Sequence, residues 1–134
     1  MAFYVDASAF LKLVARETHS TAMRRFAEKN DGNLVSSDLM RTEAIRSARR
    51  HSKAALAEIR ARLEVLTILS LSPEVFDRAS ELDPGILRTL DALHISSALS
   101  LGDELEALVT YDLRMAGAAA FHGVRTISPG VTRS

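Results

Sequence analysis

The chain has 134 residues, of which 47% are hydrophobic and 25% charged, and its 17 basic side chains balance its 17 acidic ones. This length predicts one domain around a single core, and the absence of cysteine excludes disulfides, a thiolate nucleophile and a zinc–cysteine site. The first residues show no basic segment followed by a long apolar stretch, and no run reaches membrane-spanning length. We therefore expect a cytoplasmic protein with no signal peptide and no membrane contact.

Short β-prone runs alternate with helical stretches along the chain. The predicted strands are mostly apolar or β-branched and lie at residues 3–5, 34–35, 65–69, 107–110 and 124–127. The predicted helices have apolar residues at helical spacing or a capping residue at the start. The first begins at residue 6, the second spans 18–29, and the third runs from a cap at 36–38 to about 51. The next two begin at 52 and at 72. The last two run from about 87 or 90 to 101 and over 113–121.

This alternation predicts an α/β domain with a mainly parallel sheet. We expect a single domain over residues 1–134, because no internal repeat, low-complexity segment or linker interrupts the pattern. Residues 126–134 are predicted to form a loose C-terminal tail.

Two acidic residues lie at the ends of predicted strands and directly before predicted helices. They are Asp6 and Asp112. Ligands collect at the carboxyl ends of parallel strands, whereas an acid before a helix also serves as an N-cap without any further role. The two roles are compatible, since a helix N-terminus keeps a carboxylate ionised. Ser8, two residues after Asp6, can orient a carboxylate or a water, or it can make only a local hydrogen bond.

Two further acids fall on the apolar faces of predicted helices. Glu43 lies on or beside such a stripe, where an ion pair with Arg46 at i+3 is the alternative to a site role. Asp91 shares a helical face with His94, although an acid in a first helical turn is also favoured by the helix dipole. His94 either lines a site or packs in the core. Because buried carboxylates are costly unless a cation neutralises them, a fold that gathers all four acids would indicate a metal-dependent enzyme.

The zero net charge conceals an uneven distribution. Between residues 41 and 62 there are seven basic residues against two acids. Such a stretch can hold a phosphate backbone through counterion release, or it can be a solvated helix face. The candidates for backbone contact are Arg41, Arg49, Arg50 and Lys53, with Arg46 nearest to the acids.

The segments around the four acids form a recognisable pattern. Residues 3–13 hold the first acid, Glu43 with Arg46 forms a helical acid–base pair, residues 87–95 hold the third acid, and residues 109–112 end on the fourth. In this order the segments resemble the motifs of PIN-domain proteins, particularly the VapC-type toxins of bacterial toxin–antitoxin pairs. Residues 87–95 are the most specific match, and the resemblance covers essentially the whole chain.

The resemblance implies a three-layer α/β/α sandwich whose parallel sheet has five strands in the order 3-2-1-4-5. It implies that Asp6, Glu43, Asp91 and Asp112 are catalytic and bind Mg²⁺ or Mn²⁺, as one or two ions. Cleavage of RNA, a homodimer and neutralisation by a cognate antitoxin protein are further implications.

One position departs from the family pattern. Many relatives carry another acid shortly after the fourth-motif aspartate, followed by Phe, whereas this chain has Arg114 and Met115 there. A first metal site depends on Asp6 and Asp91, which are both present. The departure argues against a second ion, and Arg114 can supply positive charge in its place.

The leading hypothesis is an endoribonuclease that cleaves the phosphodiester with a metal-activated water. Hard cations prefer carboxylate oxygens, and a bound divalent ion lowers the pKa of water for in-line attack. Two alternatives remain open on the residues alone. One is a protein-binding α/β module whose acids are helix caps, and the other is a metal-dependent nuclease or phosphatase that acts on another substrate.

Overall fold

A computed structural model describes residues 1–132 of the chain. In this part there are five strands, β1 (Ala2–Val5), β2 (Leu34–Ser37), β3 (Thr67–Leu69), β4 (Leu105–Val109) and β5 (Thr126–Ile127). The α-helices are α1 (Ala7–Lys12), α2 (Ser20–Lys29), α3 (Asp38–His51), α4 (Lys53–Glu64), α5 (Pro73–Glu81), α6 (Thr89–Leu99) and α7 (Leu113–Phe121). A short 3₁₀ turn at Gly102–Glu104 leads into β4.

The strands form one parallel sheet in the order β3-β2-β1-β4-β5. The α/β class and the strand order that the resemblance implies are therefore confirmed. β1 lies at the centre, with Tyr4 opposite Val35 of β2 and Val5 opposite Val109 of β4. The carboxyl ends of β1 and β4 consequently meet at the same edge of the sheet.

Helices cover both faces of the sheet, and β1 shows how the sequence separates the two layers. Successive side chains of a strand point to opposite faces. Phe3 and Val5 pack in one apolar cluster with residues of α1 to α4, while Tyr4 packs in a second cluster with residues of α6 and α7. The four residues of β1 are all buried, as expected for the central strand of a doubly covered parallel sheet.

Three serines cap helices where the sequence predicts them. Ser37, Ser52 and Ser72 accept hydrogen bonds from the backbone N–H groups three residues later, at the starts of α3, α4 and α5. Each such cap contributes about 1 kcal/mol to helix stability. Helix α6 differs, because it has no side-chain cap and its residues 91–98 are all buried. This helix therefore carries Asp91 and His94 into the interior.

Several predicted bounds need correction. Helix α2 begins at Ser20 and not at residue 18, because His19 adopts φ 71°, a left-handed conformation that a right-handed helix does not accommodate. The loose tail was predicted to begin too early: Thr126 and Ile127 pair with β4, and Tyr111 donates a 2.7 Å hydrogen bond to the carbonyl of Pro129. Residues 133–134 of that predicted tail lie outside the described part of the chain. None of the helices within residues 1–132 has the length and apolar character needed to cross a bilayer.

Candidate active site

The site lies where β1 and β4 end side by side. Asp6 follows β1 and is only 3% exposed, and its backbone N–H donates to the carbonyl of Val109 at the end of β4. Thr110, the residue after β4, is fully buried beside it. The parallel register of the two strands therefore brings together two polar side chains that are 104 residues apart in sequence.

The Asp6 carboxylate is held by three donors. Oδ1 accepts from the Ser8 hydroxyl at 2.7 Å and from the Ala9 backbone N–H at 3.0 Å, so Asp6 is also the N-cap of α1. Oδ2 accepts a short hydrogen bond from the Thr110 hydroxyl. Burial raises the pKa of Asp6, and the hydrogen bonds from Ser8, Thr110 and Ala9 act in the opposite direction. Asp6 is therefore fixed in position, whereas a surface cap would be free to move.

Thr110 is a site residue that the sequence reasoning missed. Besides donating to Asp6, its hydroxyl oxygen accepts from the backbone N–H of Asp112 at 3.0 Å. Ser8 completes the same cluster, since its oxygen accepts from the Tyr111 N–H at 2.9 Å. The available signal was a hydroxyl residue two positions before an acid at the end of a strand, on the same edge as Asp6.

Asp112 begins α7, as the capping interpretation predicts. Its Oδ1 accepts from the backbone N–H groups of Arg114 at 2.9 Å and Met115 at 3.4 Å. The Arg114 guanidinium lies 3.9 Å from Oδ2 of the same carboxylate, and its side chain is 57% exposed. The residue that departs from the family pattern thus places a positive charge beside the fourth acid.

Asp91 is the acid with the least satisfied carboxylate. It lies in the first turn of α6 and is 8% exposed, yet within residues 1–132 its side chain makes no hydrogen bond or ion pair. Burial raises the pKa of Asp91, and repulsion from Asp112 raises it further. The nearby charges of Arg114 and His94 act against this rise. Asp91 and Asp112 are therefore close enough to repel each other.

Glu43 reaches the same region from α3, but its partner is not the predicted one. Oε1 of Glu43 lies 2.6 Å from Nε2 of His94, and no ion pair to Arg46 occurs within residues 1–132. The other ring nitrogen, Nδ1, lies 2.8 Å from the hydroxyl of Tyr4. His94, with 2% exposed, is at once a packed residue and a neighbour of the site. It lies near Asp6 as well as Asp91, because its charge affects the pKa of both.

His94 contacts Glu43 and affects the pKa of Asp6 and Asp91, and Asp112 repels Asp91. Among residues 1–132, no three His, Asp or Glu side chains are arranged to hold one metal ion together. The type of donor nevertheless fits a hard divalent cation, since all four candidate ligands are carboxylates. A cation would also relieve the repulsion between Asp91 and Asp112 that raises the pKa of Asp91.

The predicted basic stretch divides between two surfaces. Arg46, Arg49 and Arg50 line one open cleft of about 260 Å³ on α3, and all three are exposed. Arg41 lines a different cleft together with Arg60 and Glu64. Lys53 is exposed at the start of α4 and lines neither cleft. The structure therefore brings together two of the four predicted backbone contacts, with Arg46 beside them.

Comparisons with known proteins find similarity over nearly the whole chain. A family model described as "PIN domain" matches residues 3–120. Ribonuclease VapC46 of Mycobacterium tuberculosis is 41% identical over 128 residues, which cover 96% of this chain and 98% of that protein.

Solved structures share the fold at lower sequence identity. The crystal structure of M. tuberculosis VapC20, described as a sarcin–ricin loop cleaving toxin, superposes with a TM-score of 0.76 at 17% identity and covers 96% of this chain and 100% of its own. VapBC-1 from nontypeable Haemophilus influenzae gives a TM-score of 0.70 at 14% identity, over 96% and 98% of the two chains.

Proposed function

The chain belongs to the PIN-domain family, and from that premise we propose that it is a Mg²⁺- or Mn²⁺-dependent endoribonuclease of the VapC toxin type, neutralised by a cognate antitoxin. The observation that carries the proposal is Asp91. Asp91 is 8% exposed, its carboxylate has no direct partner within residues 1–132, and both burial and repulsion from Asp112 oppose its ionised form. A bound cation would stabilise the ionised carboxylate of Asp91. The ribonuclease name of the VapC46 relative supports RNA as the substrate.

Asp6, Asp91 and Asp112 would hold the ion, directly or through water, with Glu43 beside them. When bound, a divalent cation stabilises negative charge on the phosphodiester and favours ionised water at neutral pH. The chain itself holds Asp6 in place through Ser8 and Thr110. Glu43 is 30% exposed and engages His94 through Oε1, which leaves Oε2 to accept a hydrogen bond from the attacking water.

Two groups of basic side chains would contact the RNA backbone. The cleft lined by Arg46, Arg49 and Arg50 offers three guanidinium groups to successive phosphates. Arg114 lies next to Asp112 with 57% of its side chain exposed, so its guanidinium can contact the scissile phosphate directly. We therefore propose one metal ion, with Arg114 as the second positive charge of the site.

The decisive experiment compares Asp91→Asn with wild type and with Asp77→Asn, a change of an exposed acid on α5. Purified wild type should cleave RNA in Mg²⁺ or Mn²⁺ and should lose cleavage in EDTA. Asp91→Asn should lose cleavage while it remains folded by circular dichroism, and Asp77→Asn should retain it. Undiminished cleavage by Asp91→Asn, or by wild type in EDTA, would contradict the proposal.

The proposed role of Arg114 has its own test. Loss of one hydrogen bond between charged groups costs roughly 1.5–3 kcal/mol, so Arg114→Gln should lower the rate of cleavage about tenfold or more. Its Mn²⁺ affinity, measured by calorimetry, should not fall, because Arg114 is not a ligand. Arg125→Gln is the matched control, since Arg125 is an exposed arginine paired with Glu106. Equal cleavage by the two variants would exclude the role.

A protein-binding module without catalysis is the second candidate, and one observation favours it. Asp6 and Asp112 do cap α1 and α7, so capping alone accounts for two of the four acids. Caps alone would give no stoichiometric Mn²⁺ binding. Calorimetric titration of the purified chain with Mn²⁺ therefore separates the candidates. The cognate antitoxin, a homodimer and a cytoplasmic location stay predictions from the resemblance and the sequence.

A further inference from the structure

A chain of buried hydrogen bonds runs from Glu43 into the core. His94 Nε2 is 2.6 Å from Glu43 Oε1, and His94 Nδ1 is 2.8 Å from the Tyr4 hydroxyl. The Tyr4 hydroxyl is in turn 2.8 Å from Oγ of Ser37. His94 is 2% exposed, and Tyr4 and Ser37 are fully buried. Four elements, α3, α6, β1 and β2, thus meet through polar contacts that begin at the partly exposed Glu43 and end in the buried core.

One assignment of donors accounts for every contact of this chain. With hydrogen on Nε2, the Glu43 carboxylate accepts from the ring, and Nδ1 accepts from the Tyr4 hydroxyl. Burial raises the pKa of Tyr4 to about 12, so its hydroxyl keeps its hydrogen at neutral pH. The Tyr4 oxygen then accepts from Ser37, whose own oxygen accepts from the Met40 N–H as the cap of α3.

We propose that His94 is a positioning residue: it holds the Glu43 carboxylate at the acidic cluster, and Tyr4 fixes the imidazole from within the core. The inference deepens the proposed function and rests on it. Glu43 has a partly exposed, flexible side chain, and within residues 1–132 its one hydrogen-bonding partner is His94. A hydrogen bond to a buried ring that has contacts on both nitrogens favours one arrangement of that side chain. The ring is held by an edge-on contact with Tyr4, at a centroid distance of 5.8 Å and an angle of 69°.

Substitutions at His94 and Tyr4 separate positioning from packing. His94→Leu removes both ring hydrogen bonds, while His94→Gln keeps an N–H donor for Glu43. Loss of a residue that orients a metal-site side chain typically costs about 10–100-fold in activity or metal affinity. We expect His94→Leu to lower kcat for RNA cleavage by about 10–100-fold, and His94→Gln to keep most of the wild-type kcat. In both variants KM should change by less than about twofold. Tyr4→Phe, which leaves the imidazole without its inner partner, should give an intermediate loss.

Ser96→Ala is the matched control, because Ser96 is fully buried on the same helix and donates a 2.7 Å hydrogen bond to the Val75 carbonyl, away from Glu43. It removes one buried hydrogen bond of α6 without touching this chain. Each variant is also unfolded in urea to measure its stability. A kcat for His94→Leu equal to that of Ser96→Ala, or no recovery in His94→Gln, would overturn the proposal. If His94→Leu does not fold, the comparison of Tyr4→Phe and His94→Gln with Ser96→Ala decides.

Two readouts do not depend on cleavage and keep this inference distinct from the proposed function. Calorimetry with Mn²⁺ should show the same affinity in His94→Leu as in Ser96→Ala, because Glu43 is not one of the three residues that would hold the ion. In the metal-free protein, the ¹⁵N resonances of the His94 ring should shift in Glu43→Gln and Tyr4→Phe, but not in Ser96→Ala. A wild type that fails to cleave RNA would contradict the proposed function only. Unchanged ring resonances in Glu43→Gln would contradict the positioning role.

Discussion

Asp6 and Asp91 are both buried acids at one edge of the sheet, 3% and 8% exposed, and burial raises the pKa of both. They differ in what surrounds the carboxylate. Asp6 receives hydrogen bonds from Ser8, Ala9 and Thr110, whereas Asp91 has no direct partner within residues 1–132 and is repelled by Asp112. The fold thus stabilises the Asp6 carboxylate with hydrogen bonds, whereas it opposes the ionised form of Asp91. A destabilised charge of this kind is typical of residues kept for function.

The largest expected change in stability concerns Asp6, whose carboxylate accepts three hydrogen bonds. Asp6→Ala leaves the Ala9 N–H and the hydroxyls of Ser8 and Thr110 without their acceptor, and it removes the cap of α1. Buried donors without partners cost about 1–3 kcal/mol, so the free energy of unfolding in urea should fall by roughly that amount. Asp91→Ala should show no comparable loss. Equal destabilisation by the two substitutions would remove the distinction between the acids.

Thr110 tests whether Asp6 needs its hydrogen-bond donors, because Thr110 is one of them. Thr110→Val keeps the shape of the side chain but removes the donor to Asp6 and the acceptor for the Asp112 N–H. We expect cleavage of RNA to slow by about tenfold, the lower end of what loss of an orienting partner costs. Thr110→Ser keeps the hydroxyl and is the matched control, which should cleave close to the wild-type rate. A Val variant as active as the Ser variant would show that Asp6 needs no such support.

Local features of the fold were accessible from the sequence, and long-range partners were not. The caps at Ser37, Ser52 and Ser72 followed from residues adjacent in the chain. The strand order came from the resemblance, since alternating strands and helices alone do not determine which strands are neighbours. Likewise, periodicity placed Glu43 near an apolar stripe but offered only a partner on its own helix. His94, 51 residues away on α6, became the partner because the sheet brings two helices together.

The smallest expected change in stability concerns Asp91, whose replacement should stabilise the protein where the replacement of Asp6 destabilises it. In the metal-free protein, Asp91→Asn removes a charge that burial and Asp112 oppose, so the free energy of unfolding at pH 7 should rise by at most about 1 kcal/mol, since solvent screens this charge. Because the folded pKa of Asp91 lies above its ordinary value of 3.8, the folded protein holds this proton more tightly than the unfolded chain. The wild type therefore gains stability relative to the variant as the pH falls through the raised pKa, and below 3.8 the difference should vanish. Urea unfolding of both proteins in EDTA from pH 7 to pH 3 measures this difference. A stability difference that is constant with pH, or an Asn variant less stable than wild type at pH 7, would show that the fold does not oppose the ionised form of Asp91.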